Sequence, residues 1–171
     1  THKKIADSPA HALHDYNGTR MAYKEGVFVG YRWFDAKNIE PLFPFGHGLS
    51  YTTFAIDEPK LSSSKMKQYG GVFVKVPVTN TGKMAGAEVV QLYVAPPKID
   101  VERPVRELKT FGKVFLQPGE TKEVEMWLSW RDLAYWDTAK KGWKVVPGTY
   151  RIEIGTSSRE IRSQTKLEIT F

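Results

Sequence analysis

The feature that most constrains this chain is an alternation of apolar and polar residues, broken by turn signals, that runs from residue 72 to the end. Val72, Val74, Val76 and Val78 alternate with Phe73, Lys75 and Pro77. Val90, Leu92 and Val94 follow, with Val89, Gln91 and Tyr93 on the other face. Val124, Met126 and Leu128 come next, then Tyr150, Ile152 and Ile154, then Leu167, Ile169 and Phe171. Successive side chains of a strand point to opposite faces, so a period of two predicts strands with one buried face. Asn80-Thr81-Gly82, Pro118-Gly119 and Pro147-Gly148 mark turns between them. Glu107–Phe111 and Lys113–Leu116 read as two further segments, Ala134–Asp137 and Trp143–Val146 as short strands joined by a basic loop, and Trp130–Leu133 as a turn or helical step. About seven or eight strands of this kind predict an all-β, two-sheet sandwich, with a closed barrel as the alternative. Pro77 cannot donate to a ladder, so its strand is expected to be an edge there or to bulge.

What precedes the strands differs in kind. Residues 1–22 are polar and irregular, with Ser8-Pro9 and Asn17-Gly18 as turn signals and at most one helical turn at Ala10–Leu13. Residues 23–34 form a compact apolar and aromatic segment of extended character. Burying one large apolar side chain is worth roughly 1.5–3 kcal/mol. The segment must therefore dock on something, either the following domain or a partner outside the chain. Asp35–Asn38 reads as a turn. Pro41 to Phe54 is then dense in Pro, Gly and aromatics. Pro41 and Pro44 favour extended conformations at Glu40 and Phe43, and Gly46 and Gly48 allow positive φ. The expected division is residues 1–50 as an irregular leading arm and connector, and residues 51–171 as the β-sandwich domain. Phe28, Tyr31, Trp33, Phe43, Phe45, His47 and Tyr51 are the candidate packing residues of the connector.

Composition narrows the function classes. A hydrophobic content of 41% with 13% aromatics belongs to a globular chain. There is no Cys, which excludes disulfides and thiolate metal sites while leaving both a secreted and a cytoplasmic location open. No apolar run approaches the roughly 18 residues of a membrane span, so no membrane partner is expected. The chain opens on Thr1, and residues 1–20 lack the apolar core of a signal peptide, which reads as a piece of a longer chain. The net charge of +6 comes from scattered residues, with Lys3-Lys4 and Lys140-Lys141 the longest clusters. A nucleic-acid site wants a clustered basic stripe, so a solvated surface is expected instead. His2, His11 and His14, with Asp7 and Asp15, are a loose set of candidate metal ligands without the packed surroundings that hold a zinc site. No metal or cofactor is expected. Asn17-Gly18-Thr19 is an N-glycosylation sequon, relevant only to a chain secreted by a eukaryote.

Catalytic constellations are hard to assemble. Hydrolysis of a glycosidic bond needs two carboxylates roughly 5–9.5 Å apart. Asp132, Asp137, Glu153 and Glu160 fall on turns or on solvent faces of strands and offer no evident pair. His47 lies between two glycines with no Ser or Cys placed to be its nucleophile, so its role reads as structural. Nucleotide and zincin motifs are absent from the sequence. Four of the five Trp residues, Trp127, Trp130, Trp136 and Trp143, lie close together in sequence. Most such residues pack in cores or on sheet faces. Trp127 is out of phase with Val124, Met126 and Leu128. It points away from the core, as the best candidate for an exposed platform or a domain contact.

Several of these stretches together resemble the C-terminal region of family 3 glycoside hydrolases of the β-glucosidase type. Glu25–Phe34 and Pro41–Phe54 look like that family's connector. Val78–Gly82, Gly86–Val94, Arg103–Phe111, Pro118–Thr121, Pro147–Tyr150 and Ile154–Arg159 look like its fibronectin type III-like domain. The resemblance covers residues 23–171 in order, and residues 1–22 match loosely. It implies a parent enzyme that hydrolyses terminal β-glucosyl residues with retention, using an Asp nucleophile in an N-terminal barrel and a Glu acid/base upstream of this region. No catalytic residue carries over: the nucleophile's Ser-Asp-Trp motif does not occur, and Leu128-Ser129-Trp130 is not one. What the resemblance implies here is architecture. The connector's aromatics would pack against catalytic domains of the same parent chain. The fibronectin-like domain would be structural, with polysaccharide or lignin binding through exposed aromatics as the alternative. A freestanding adhesion-type domain is a third reading that leaves residues 23–54 unexplained.

Overall fold

The computed structural model describes residues 3–9, 11, 15, 16, 18, 19 and 21–171. A small pair, β1 (Asp15–Tyr16) and β2 (Met21–Ala22), precedes the helix α1 (Tyr31–Ala36). Then come β3 (Phe54–Ile56), β4 (Lys60–Leu61), β5 (Lys65–Lys67), β6 (Gly71–Asn80), β7 (Gly86–Ala95), β8 (Glu107–Leu116) and β9 (Thr121–Ser129). The helical step α2 (Trp130–Leu133) leads to the hairpin β10 (Tyr135–Asp137) and β11 (Gly142–Lys144), and β12 (Gly148–Gly155) and β13 (Ile161–Thr170) follow. The helical turn expected at Ala10–Leu13 lies largely outside the described residues.

Two sheets face each other, so the all-β sandwich expected from the alternation is the fold. One sheet has the order β5-β13-β12-β7-β8, with β5 parallel to β13 and the other neighbours antiparallel. The other is centred on β6, with β9 along one edge and β3 and β4 sharing the opposite edge. Val72, Val74, Val76, Val78, Val90, Leu92, Val124, Met126, Leu128, Tyr150, Ile152, Ile154, Leu167 and Ile169 all enter one core. Phe171 lies past the last strand and is exposed. Between the sheets Gly112 is essential for close approach, since a Cβ there would lie 2.5 Å from Val124 Cγ1.

The strand carrying Pro77 is central rather than an edge. Its neighbour changes from β3 to β4 at this point, and Pro77 meets the irregular chain at Asp57, whose N–H donates to the Pro77 carbonyl (3.1 Å). The missing donor therefore falls at a break in the edge. The two segments expected at 107–116 form one continuous strand, with a register shift against β7 between Leu92 and Tyr93. Asn80 is fully buried and holds the β6–β7 turn: its amide donates to the carbonyls of Met84 (2.8 Å) and Leu116 (3.0 Å), and its oxygen accepts from Gly82 N and Thr52 Oγ1. Tyr150 Oη donates to the carbonyl of Val146 (3.0 Å), a tyrosine tied to upstream backbone as in immunoglobulin-like sandwiches.

Residues 23–34 are not extended. Gly30, at φ +57°, turns the chain into α1. Tyr, Trp and Phe favour strands, but packing of Tyr31 and Phe34 outweighs that preference. The reason lies in β7. Val90 to Ala95 are buried at six consecutive positions, so this strand is covered on both faces.

Candidate functional site

The cover on the outer face of β7 is the leading segment. Tyr31, on α1, stacks on Phe45 (ring centroids 5.2 Å) and meets Tyr93 edge-on (5.9 Å). Its hydroxyl accepts from the backbone N–H of Leu108 (2.7 Å). Tyr93, wholly buried, donates to Gln91 Oε1 (2.5 Å), and Gln91 Nε2 donates to the carbonyl of Thr156 (2.7 Å). Burial pushes the Tyr93 phenol well above its ordinary range, so it is a neutral donor at any physiological pH. Gly46, at φ +83°, lies against Gln91 so closely that a Cβ would collide with its amide. The Ser158 N–H donates to the Phe45 carbonyl (2.8 Å).

Ionic groups surround this seam. Arg159, in the β12–β13 loop, pairs with Asp35 Oδ1 (2.7 Å) and donates to the carbonyls of Phe34 (3.0 Å) and Ile39 (2.9 Å). A cation at the carbonyl end of α1 also suits the helix dipole. Glu153, buried on β12, has Oε1 2.5 Å from Arg151 Nε and Oε2 2.8 Å from Arg106 Nε. Burial raises the Asp35 carboxyl above its ordinary value, outweighing the pull of Arg159 and Arg106. At Glu107 burial pushes upward too, but Lys109 (2.7 Å) and Arg103 (3.1 Å) hold the carboxyl below its ordinary value. Glu153 is thus a correction to the sequence reading, which placed it among solvent-facing carboxylates: its face of the sheet is roofed. Asp132 caps α2 by accepting from Ser129 N (2.8 Å) and Oγ (2.6 Å). Asp137 accepts from Ala139 N and Lys140 N in the β10–β11 turn, and Glu160 accepts from Thr156 Oγ1.

The leading segment's other face is open. Phe43 stacks on His47 (5.5 Å) and stays 54% exposed. Phe45 is 50% exposed, Leu49 95% and Tyr51 94%. Trp33 is half-buried, its Nε1 donating to the Asp7 carbonyl (3.0 Å), and Phe28 is half-buried nearby across a shallow cleft. Among the described residues no three His, Asp or Glu side chains are grouped as metal ligands. His2, His14 and Asn17 lie outside the described residues.

The four tryptophans of 127–143 divide among three aromatic pairs. Trp127 is on the outer face of β9, crossing over Gly71 to Phe73 (4.6 Å), and is 49% exposed. Trp130 meets Tyr69 edge-on (4.8 Å) and packs against the core. Trp136 and Trp143 face each other across the β10–β11 hairpin (5.4 Å), with Arg131 over the Trp143 ring (3.5 Å).

The residues sequence reasoning missed are Asp35, Gln91, Tyr93, Arg106 and Arg159. One signal was present: Val89–Ala95 reads Val-Val-Gln-Leu-Tyr-Val-Ala, a nearly continuous apolar run typical of a strand buried on both faces.

Comparison with known proteins agrees with this fold. Residues 88–158 match the family described as fibronectin type III-like domain. That match runs from β7 into the β12–β13 loop of the sandwich. Along almost its whole length the chain matches β-glucosidases, a GH3 enzyme among them. It is 49% identical over 158 residues to the thermostable β-glucosidase B of Acetivibrio thermocellus, covering 92% of this chain and 21% of that protein. The structure of a β-glucosidase from Kluyveromyces marxianus in complex with glucose superposes with a TM-score of 0.91 at 38% identity, covering 98% of this chain and 20% of that one. A Bifidobacterium adolescentis GH3 β-glucosidase gives 0.89 at 42% identity, covering 98% and 24%. The chain therefore spans about a fifth to a quarter of the length of these relatives.

Proposed function

We propose that this chain is the accessory C-terminal part of a β-glucosidase that hydrolyses terminal β-glucosyl residues. Its role is to brace the catalytic domains and not to carry out chemistry. The observation that carries this reading is the open apolar face of the leading segment. Leu42, Phe43, Phe45, Leu49 and Tyr51 are each half to almost fully exposed while their neighbours are clamped to the sandwich. Contiguous apolar surface of this kind is what soluble chains reserve for an interface. Residues 1–50 act as the connector and residues 51–171 as the accessory domain. The test has two parts. The isolated chain is expected to show no turnover of an aryl β-glucoside, and measurable turnover surviving repurification overturns the reading. Added to the Acetivibrio thermocellus relative lacking its matched region, the chain is expected to co-elute with it. Co-elution that is unaffected by Phe43→Ser, Leu49→Ser and Tyr51→Ser together would place the interface elsewhere.

A second reading is favoured by the half-exposed pairs Phe73–Trp127 and Trp136–Trp143: a polysaccharide or lignin surface stacking on these rings. Pull-down on cellulose, chitin and lignin tests it. Wild type that binds no better than an inert protein, or Trp127→Ala that binds as well as wild type, ends that reading.

A further inference from the structure

Between α1, the Pro41–His47 stretch and the β12–β13 loop lies a cavity of about 370 Å³. Its walls are the rings of Tyr31, Phe34, Phe43 and Phe45, with His47 beside Phe43, and Asp35 and Arg159 also line it. The Asp35 side chain is 7% exposed. Its Oδ1 is held by Arg159, but its Oδ2 is buried and makes no hydrogen bond among the described residues. Natural structures rarely leave such an oxygen unmet, because a buried acceptor without a partner forfeits its hydration for nothing.

The same seam buries a second carboxylate, whose Oε2 and the facing Arg106 Nε also make no hydrogen bond among the described residues. Glu153 is also buried, and each of its two oxygens faces a different arginine, Arg151 and Arg106. What separates the two is the ion pair: Glu153 Oε2 has an arginine nitrogen at 2.8 Å, whereas the one cation paired with Asp35 is on Oδ1. The environment agrees: even with Arg159 and Arg106 nearby and Glu153 opposing them, burial prevails and the Asp35 carboxylate is under-compensated. Ring faces carry partial negative charge, so an aromatic-walled cavity beside a carboxylate oxygen without a hydrogen bond favours a cation over a neutral donor.

We propose that this cavity is the socket for one basic side chain, Lys or Arg, delivered by the part of a family 3 β-glucosidase that lies outside this chain, and that its head group takes Asp35 Oδ2. The source of the cation rests on the docking role proposed above; the cation site itself rests on the cavity. Phe43 and Phe45, which wall the socket, belong to the same open face, so the knob and the apolar contact arrive together. Such a buried anchor in a pocket at the centre of an apolar patch is the usual form of an interface hot spot.

The test uses the chain as it stands and two probes of one shape, ethylguanidinium and its neutral analogue ethylurea. Binding is read from NMR shifts of the Tyr31, Phe45 and His47 rings and of the ¹³C-labelled Asp35 carboxyl. Ethylguanidinium is expected to saturate at roughly millimolar concentration, as befits a fragment of few atoms, and to lower the Asp35 titration midpoint. Ethylurea is expected to bind at least about tenfold more weakly, since it lacks the charge that strengthens the bond. Equal binding of the two, or no saturation by ethylguanidinium, overturns the proposal without any variant. Asp35→Asn sharpens it. Arg159 keeps the amide oxygen on its side, so the amide NH₂ replaces Oδ2 and faces the socket as a donor. Loss of ethylguanidinium binding, with the amides of α1 still protected, is expected, and retained binding contradicts the proposal. Neither probe involves a partner, so a failed co-elution with the truncated relative removes the docking role and leaves this result separate.

Discussion

The two outer faces of this sandwich invite comparison, because the same alternation builds both. On the five-stranded sheet the outward residues Gln91, Tyr93 and Glu153 are almost completely buried, at 5%, 0% and 2% exposure. On the other sheet the outward residues Phe73 and Trp127 remain 41% and 49% exposed. The difference is the leading segment, which lies over the first face and leaves the second open. A strand's period sets which residues share a face, but chain from elsewhere decides whether that face is interior. The buried side is correspondingly specific. It carries aromatic stacking, a Tyr93–Gln91 hydrogen bond and a line of ion pairs. The open side carries Phe73, Trp127 and the exposed cluster of Lys75 with Glu123 and Glu125.

Substitutions on the two faces should therefore differ, and the largest contrast is between their aromatics. Tyr93→Ala is expected to cost about 3–5 kcal/mol, the range for deleting a buried aromatic. Trp127→Ala should cost about 1–2 kcal/mol, because half its surface is already in water. Denaturant titrations with equal m-values measure both, and equal losses would erase the distinction between the faces.

Arg159→Ala comes next, at about 2–3 kcal/mol. Breaking a buried pair costs more than this, but Arg159 is 32% exposed by side chain and its share is screened. Its signature is local: amides of Phe34 to Asn38 should exchange faster while those of β6 and β9 are unchanged. Uniform acceleration would mean that the leading segment and the sandwich open as one unit.

Acid should act on the same seam. The folded carboxyl of Glu107 titrates below its unfolded value of 4.5, so its contribution is complete above that pH. The contribution is lost as pH falls through the lower folded value. Glu107→Gln should flatten the acid limb of the stability curve in that window, and an unchanged limb would contradict the assignment. Smallest of all, Lys75→Ala should leave the denaturation midpoint unchanged despite two ion pairs, since exposed pairs contribute little. A clear shift there would show that the open face is less solvated than its exposure implies.

The sandwich was legible because each of its core strands repeats one physical rule. Val72 to Val78, Val124 to Leu128 and Tyr150 to Ile154 declare their inward faces unaided. The roof was not legible for an equally physical reason. Tyr31, Trp33 and Phe34 have strand-like propensities, and their helix exists because Gly30 turns the chain and Tyr93 offers a surface. Arg159 and Asp35 are far apart in sequence, and no local pattern announces a pair that only tertiary packing creates. Glu153 alternates with Ile152 and Ile154 like any solvent-facing carboxylate, so its burial could be inferred only from what covers it. The apolar run through β7 and the aromatic segment at 23–34 were the traces of that cover in the sequence.

The leading segment is docked on the outer face of the five-stranded sheet. The most direct measurement is hydrogen exchange at the Leu108 amide, whose acceptor is the Tyr31 hydroxyl. Strong protection is expected in the 171-residue chain, with its specific loss in Tyr31→Phe and β12 and β13 amides unaffected. Rapid Leu108 exchange in the unaltered chain, or protection that survives Tyr31→Phe, would contradict it.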